Sequence, residues 1–146
     1  MDDLADFVSQ MAILVREEAP LHEIPHGSRD LVGAGAVVNH GPWPASTCAA
    51  VLTLWHRAGW IGFSFRDPPA GWDVAPAEWR SRLVHGEDLA ARDIDDILDH
   101  PERWVPEKAD GHVQPYRTDQ GAKTPQEQWF DLVIETARSL PLRPAT

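Results

Sequence analysis

The sequence predicts an α+β protein that folds as a single compact domain, with about five helices packed on a small sheet of two to four strands. Two observations lead to this prediction. Apolar residues recur three and four positions apart along much of the chain, which is helical spacing. A few short segments instead alternate apolar and polar residues, as strands do. No repeat, low-complexity tract or linker divides residues 1–146, so one domain is expected.

The first element is an amphipathic helix over residues 2–18. Its apolar positions form one stripe, made of Leu4, Phe7, Val8, Met11, Leu14 and Val15. Acidic residues occupy the first turn, where the helix dipole favours negative charge, and Pro20 ends the helix.

Residues 21–41 are expected to form a loop, a strand and a second loop. Gly33 and Gly35 indicate a bend or a close backbone approach. The G-x-G pair continues into neither a dinucleotide fingerprint nor a P-loop, which argues against a nucleotide site.

The densest apolar run covers residues 45–66 and predicts a buried helix that leads directly into a half-buried strand. The helical face consists of Val51, Leu54, Trp55 and Ala58. The strand that follows alternates, with Ile61, Phe63 and Phe65 pointing to one side. We expect this helix and strand to form the centre of the core.

The second half of the chain is predicted to be mainly helical. A short helix from Pro76 to His85 and a helix over about residues 89–99 are followed by a strand near residues 112–118. The last helix, residues 125–139, shows a capping-box pattern with Thr124 as the N-cap. Its expected inner face is Trp129, Phe130, Val133, Ile134 and Ala137.

The composition excludes several classes of function. Thirteen basic residues against twenty-three acidic ones give a net charge of −10, which opposes binding to nucleic acid and suits a basic protein partner. No apolar run is long enough for a membrane helix, and the acidic N-terminus does not resemble a secretory signal. Cys48 is the single cysteine, so no intramolecular disulfide can form and a cytoplasmic location is expected.

An acidic stretch suggests a surface for that partner. Residues 87–102 contain seven carboxylates and one arginine. On a helix, the residues sharing the polar face are Arg92, Asp95, Asp96 and Asp99. The dipole disfavours negative charge at the C-terminal end, so Asp99 breaks a local rule, as residues kept for function often do. We therefore predict a docking face of Asp95, Asp96 and Asp99 with Trp104 as an anchor; a merely solvated helix face is the alternative.

A metal-dependent hydrolase is the rival hypothesis. His22, Glu23 and His26 match the H-E-x-x-H string, in which a helix places both histidines on one face to bind zinc. Pro25 opposes that helix, so the segment should not be helical. A loop site of His22 and His26 with either His40 or Asp30 is a further metal candidate. No cofactor is expected.

Tryptophan offers a third hypothesis, because seven tryptophans are many for this length. Trp43, Trp55 and Trp60 could line a pocket for a small molecule, although most tryptophans should lie in the core. Cys48 is expected to be a small buried side chain. The leading hypothesis is that the chain is a small acidic binding or regulatory protein, similar in kind to immunity proteins and inhibitors. This hypothesis is favoured over an enzyme.

Overall fold

A computed structural model describes residues 3–65 and 88–144 of the chain. These ranges contain five α-helices and four β-strands: α1 (Asp3–Arg16), β1 (Ser28–Val32), β2 (Ala36–His40), α2 (Ala45–Arg57), β3 (Ile61–Phe65), α3 (Ala91–Asp99), β4 (Val113–Arg117), α4 (Asp119–Lys123) and α5 (Gln126–Arg138). The prediction of a single compact α+β domain is confirmed. The helix expected from Pro76 to His85 lies outside the described residues. No helix in the described ranges is long and apolar enough to cross a lipid bilayer.

The four strands form two separate antiparallel pairs. β1 pairs with β2 from Ser28↔His40 to Val32↔Ala36, and β3 pairs with β4 from Ile61↔Arg117 to Phe65↔Val113. The first pair occupies the segment predicted as loop, strand and loop, so this segment contains two strands where one was expected. The bend predicted at the two glycines is the turn between β1 and β2, where φ is 63° at Gly33 and 80° at Gly35. Glycine adopts this left-handed conformation without steric cost.

The core is built around α2 and β3, as the apolar run predicts. Trp55 of α2 is fully buried, its indole N–H donates to the carbonyl of Trp129 at 3.0 Å, and the centroids of the two rings are 4.9 Å apart. All three apolar residues of β3 are buried: Ile61, Phe63 and Phe65. α1 and α2 both pack against α5, which buries Trp129, Val133 and Ala137 and leaves Phe130 and Ile134 half-buried.

The capping-box prediction is wrong. α5 begins at Gln126, and the hydroxyl of Thr124 donates to the carbonyl of Gln120 at 2.7 Å instead of capping α5. The side-chain cap in this region belongs to Thr118, whose hydroxyl accepts a bond from the Gly121 N–H at 3.0 Å at the start of α4. Two helices meet end to end here, and Thr124 bonds to the first helix rather than to the second.

Candidate functional site

The outward side of α3 carries exposed carboxylates. Asp95 and Asp99 are exposed on the helix, and Glu102 is exposed just beyond its end. The other side of α3 faces the core and buries Ile94, Ile97 and Leu98. The helix is therefore held by its apolar side while these carboxylates remain in water.

Trp104 does not lie on this surface, contrary to the prediction that it anchors a partner. Its side chain is only 4% exposed, and its indole N–H donates to the carbonyl of Ile97 at 3.0 Å. A short 3-10 turn, Pro101–Arg103, follows α3 and leads into Trp104. A buried indole needs an acceptor for its N–H, and the C-terminal end of α3 supplies one. Trp104 thus supports α3 from the core.

Asp96 is held by an ion-pair network centred on Arg103. The Nη2 of Arg103 lies 2.7 Å from Asp96 Oδ2, and its Nε lies 2.8 Å from Asp110 Oδ2. Asp110 is fully buried, and Arg103 also donates to the main-chain carbonyl of Asp96 at 3.2 Å. His100 Nδ1 is 2.8 Å from the same carbonyl. Asp96 therefore belongs mainly to the structure of this region.

The acidic surface is smaller than the sequence predicts. Asp93 is buried as well, Glu87 lies outside the described residues, and Asp88 accepts a hydrogen bond from the hydroxyl of Tyr116. We call the exposed carboxylates of α3 and of the turn after it, Asp95, Asp99 and Glu102, the acidic face. Asp95 also acts on a neighbouring imidazole. Burial lowers the pKa of His56, and the charge of Asp95 works in the opposite direction.

The three tryptophans proposed for a pocket do not come together. Trp43 packs edge-on against Phe7, with ring centroids 5.1 Å apart, and is nearly buried. Trp55 and Trp60 belong to another cluster, in which both contact the ring of Trp129. Trp55 is fully buried, so its ring is part of the core rather than of a pocket wall.

The H-E-x-x-H string is not an α-helix, as Pro25 predicts. Ile24–His26 forms a single 3-10 turn, and the ring of His22 lies 5.1 Å from that of His112, centroid to centroid. Burial lowers the pKa of His22. Among the described residues, no group of three or more histidine, cysteine, aspartate or glutamate side chains is arranged to hold a metal ion.

His40 ties the β1–β2 pair to α1. Its Nδ1 lies 2.8 Å from Asp6 Oδ2 on α1, and its Nε2 lies 2.8 Å from Asp30 Oδ2 on β1. Carboxylate oxygens accept hydrogen bonds, so this arrangement favours the protonated imidazole, in which both ring nitrogens donate. The bond to Asp6 raises the pKa of His40 against the opposing effect of burial, and the bond to Asp30 adds to the rise. Both ring nitrogens are occupied by these carboxylates, which argues against a role for His40 as a general base or metal ligand.

Cys48 is buried, as the sequence predicts, and its burial argues against a nucleophilic role. Desolvation raises the pKa of its thiol to about 12. The thiolate is the reactive form of cysteine, so this side chain is inert at neutral pH.

The β1–β2 pair is a surface that the sequence analysis did not identify. Every residue from 29 to 39 is exposed, including four of the exposed large apolar side chains: Leu31, Val32, Val37 and Val38. The sequence does contain a signal for this surface, because the nine residues from Leu31 to Asn39 carry no charge in a chain that is 25% charged. A polar concavity of about 590 Å³ lies at the base of the pair, near Arg29 and His26.

A second, apolar concavity of about 240 Å³ lies between α1 and α5. Its apolar lining is Val8, Ala12, Trp129 and Phe130, and Glu127 and Asp131 line it as well. We call it the α1–α5 groove.

No protein-family model, curated protein or solved structure matches this chain.

Proposed function

We propose that this protein binds a partner protein and recognises a basic, arginine- or lysine-bearing surface through the acidic face of Asp95, Asp99 and Glu102. The observation that carries the proposal is the combination of exposed carboxylates with a firmly seated helix. Complementary charge of this kind steers a partner and raises the association rate more than it raises the affinity. The net charge of −10 extends the same attraction beyond the contact itself.

The surroundings of α3 support a preorganised binding surface. The helix buries three apolar side chains, and Arg103 bonds Asp96 at its middle to the buried Asp110. A partner would then not have to order the helix on binding, which removes one of the usual costs of association. Asp99 lies at the C-terminal end of α3, where the helix dipole disfavours a negative charge by about 0.3–1 kcal/mol. A residue kept there against local stability is consistent with a role in binding.

Binding is favoured over catalysis by the state of the candidate catalytic groups. Both ring nitrogens of His40 are occupied by carboxylates, the H-E-x-x-H string lacks its helix, and Cys48 is buried with a raised pKa. The proposal puts the protein in the cytoplasm, where its one cysteine stays reduced, and makes the partner a protein rather than a nucleic acid.

The test compares two variants with matched charge changes. The first is Asp95→Asn, Asp99→Asn and Glu102→Gln, and the control replaces three exposed carboxylates that follow α1, Glu17→Gln, Glu18→Gln and Glu23→Gln. Proteins retained from a lysate of the source cells by the immobilised wild type are purified, and their association rates with each variant are measured by surface plasmon resonance.

We expect the acidic-face variant to associate about tenfold more slowly at low salt, and the difference to shrink as screening increases. The control variant should slow association only through its change in net charge, and by less than the acidic-face variant does. Equal rates for the two variants would refute recognition through the acidic face.

A further inference from the structure

The β1–β2 pair projects from the body of the protein as an arm. Leu31 is 80% exposed, and in the part of the chain that the structure describes, neither strand pairs with a third one. The arm is attached firmly at its base, because His40 bonds to Asp6 and the Ser28 hydroxyl donates to Gln10 Oε1 at 2.9 Å. An exposed apolar surface on a rigid support is typical of an interaction site.

The register of the pair defines what one side of the arm presents. Leu31 lies directly opposite Val37, and directly opposed residues point to the same face. Residues two apart on a strand also share a face, so Arg29 lies beside Leu31. This face therefore offers an apolar pair, Leu31 and Val37, with one cation next to it.

The α1–α5 groove has the complementary character. The groove has a volume of about 240 Å³ and is open to solvent on one side, whereas a closed apolar cavity of about 150 Å³ is enough to hold benzene. The groove can therefore take a leucine side chain and part of a second side chain. Its carboxylates, Glu127 and Asp131, are exposed, as a partner for an arginine should be.

We propose that the arm of one copy inserts Leu31 and Val37 into the α1–α5 groove of a second copy, with Arg29 facing Glu127 and Asp131. The second copy is the occupant because the arm and the groove of this chain match in both apolar character and charge. This inference does not depend on the proposed function.

The arrangement is reciprocal and two-fold symmetric. A stable dimer buries about 1,200–2,000 Å² in total, which a single short arm does not reach, and a two-fold axis uses the same contact twice. Both surfaces adjoin α1, but on opposite sides of the helix: the arm bonds to Asp6 and Gln10, and the groove includes Val8 and Ala12. With the two α1 helices facing each other, each arm would reach past the α1 of the second copy to enter its groove.

The test measures the mass of the purified full-length chain by sedimentation velocity over a concentration series reaching about 100 µM, where an interface with a Kd of about 10 µM would be populated. The chain has a mass of 16.3 kDa, and we expect about twice that value. Leu31→Ser should weaken dimerisation at least tenfold, as loss of a central apolar anchor does. Leu132→Ser, which changes a leucine that is 40% exposed on α5 and does not line the groove, should leave it unchanged.

Two further variants test the groove and the charge contact. Ser9→Trp fills the groove from an exposed position and should also prevent dimerisation. Arg29→Glu should weaken the dimer, and adding Glu127→Arg with Asp131→Arg should restore it, whereas Arg57→Glu should have no effect.

A monomeric wild type throughout the series would overturn the proposal, and so would equal losses with Leu31→Ser and Leu132→Ser. A dimer that is lost with Leu31→Ser but retained with Ser9→Trp would show arms pairing edge to edge, which would also overturn it.

Discussion

The pairing of His40 with Asp6 and Asp30 makes the stability of the protein depend on pH in a defined direction. The pKa of His40 is raised in the folded protein, chiefly by the Asp6 bond, above the value of about 6.5 expected when the chain is unfolded. A raised pKa contributes stability that is complete below the unfolded pKa and is lost as the pH rises through the folded pKa. The stabilisation by His40 should therefore be greater at pH 6 than at pH 9.

The size of the stabilisation by His40 follows from how exposed its two carboxylate partners are. Asp6 is 22% exposed, so its bond to the imidazolium should contribute about 1.5–3 kcal/mol, as bonds to charged groups do. Asp30 is 57% exposed, and its bond should contribute no more than a surface ion pair, about 0–1 kcal/mol. Glutamine cannot donate to both carboxylates, so His40→Gln should lower the free energy of unfolding by about 2–3 kcal/mol at pH 6.

The assay is urea unfolding of the wild type and of His40→Gln at half-unit steps from pH 5.5 to 9, steps spaced to follow a single titration. The difference in unfolding free energy should fall steadily towards high pH. His56→Gln is the control, because burial lowers the pKa of His56 and the pH dependence of its replacement should have the opposite sign. A difference for His40→Gln that is flat, or that grows with pH, would refute the account of this pairing.

Three other predictions follow from the core and the turns. Trp55→Ala should cost about 3–5 kcal/mol of unfolding free energy, and an unchanged melting temperature would contradict its place in the core. Cys48 should not react with a thiol reagent at pH 8 until the protein is unfolded; rapid native-state labelling would show an accessible thiolate. Gly27→Ala should lower the melting temperature more than Gly33→Ala. A Cβ at Gly27 would lie 1.6 Å from the His40 carbonyl oxygen, whereas a Cβ at Gly33 would have no other atom within 4 Å. Equal losses would show that the base of the arm can move aside.

The parts of the fold that the sequence predicted correctly are those that local spacing determines. α2 and β3 follow directly from the two apolar periods of residues 45–66, and the glycines at 33 and 35 marked a turn. The second strand of the arm was missed because its residues before His40 are exposed on both faces, so no alternation of apolar and polar residues reveals it. Thr124 was misjudged because a capping pattern does not say which of two adjoining helices the side chain will join.

The acidic surface shows a different limit of sequence reasoning. Helical geometry placed Asp95, Asp96 and Asp99 on one side of α3 correctly, but charge alone could not show that Arg103 holds Asp96. That contact depends on the turn after α3, which folds the chain back so that Arg103 reaches Asp96, seven residues earlier in the sequence. Trp104 was assigned to the surface for the same reason, because its partner, the carbonyl of Ile97, becomes available only when the chain folds back.

Site-specific photo-crosslinking tests the proposed recognition through the acidic face most directly. The photo-reactive residue p-benzoylphenylalanine replaces Arg92, which is exposed on α3, and in a second protein it replaces Glu17, which is exposed just after α1. The proposal predicts that the probe at position 92 captures one protein through a lysine- or arginine-rich segment, and that capture falls as salt is raised or when Asp95, Asp99 and Glu102 are neutralised. Identical products from positions 92 and 17, or capture at position 92 that persists after the carboxylates are neutralised, would contradict it.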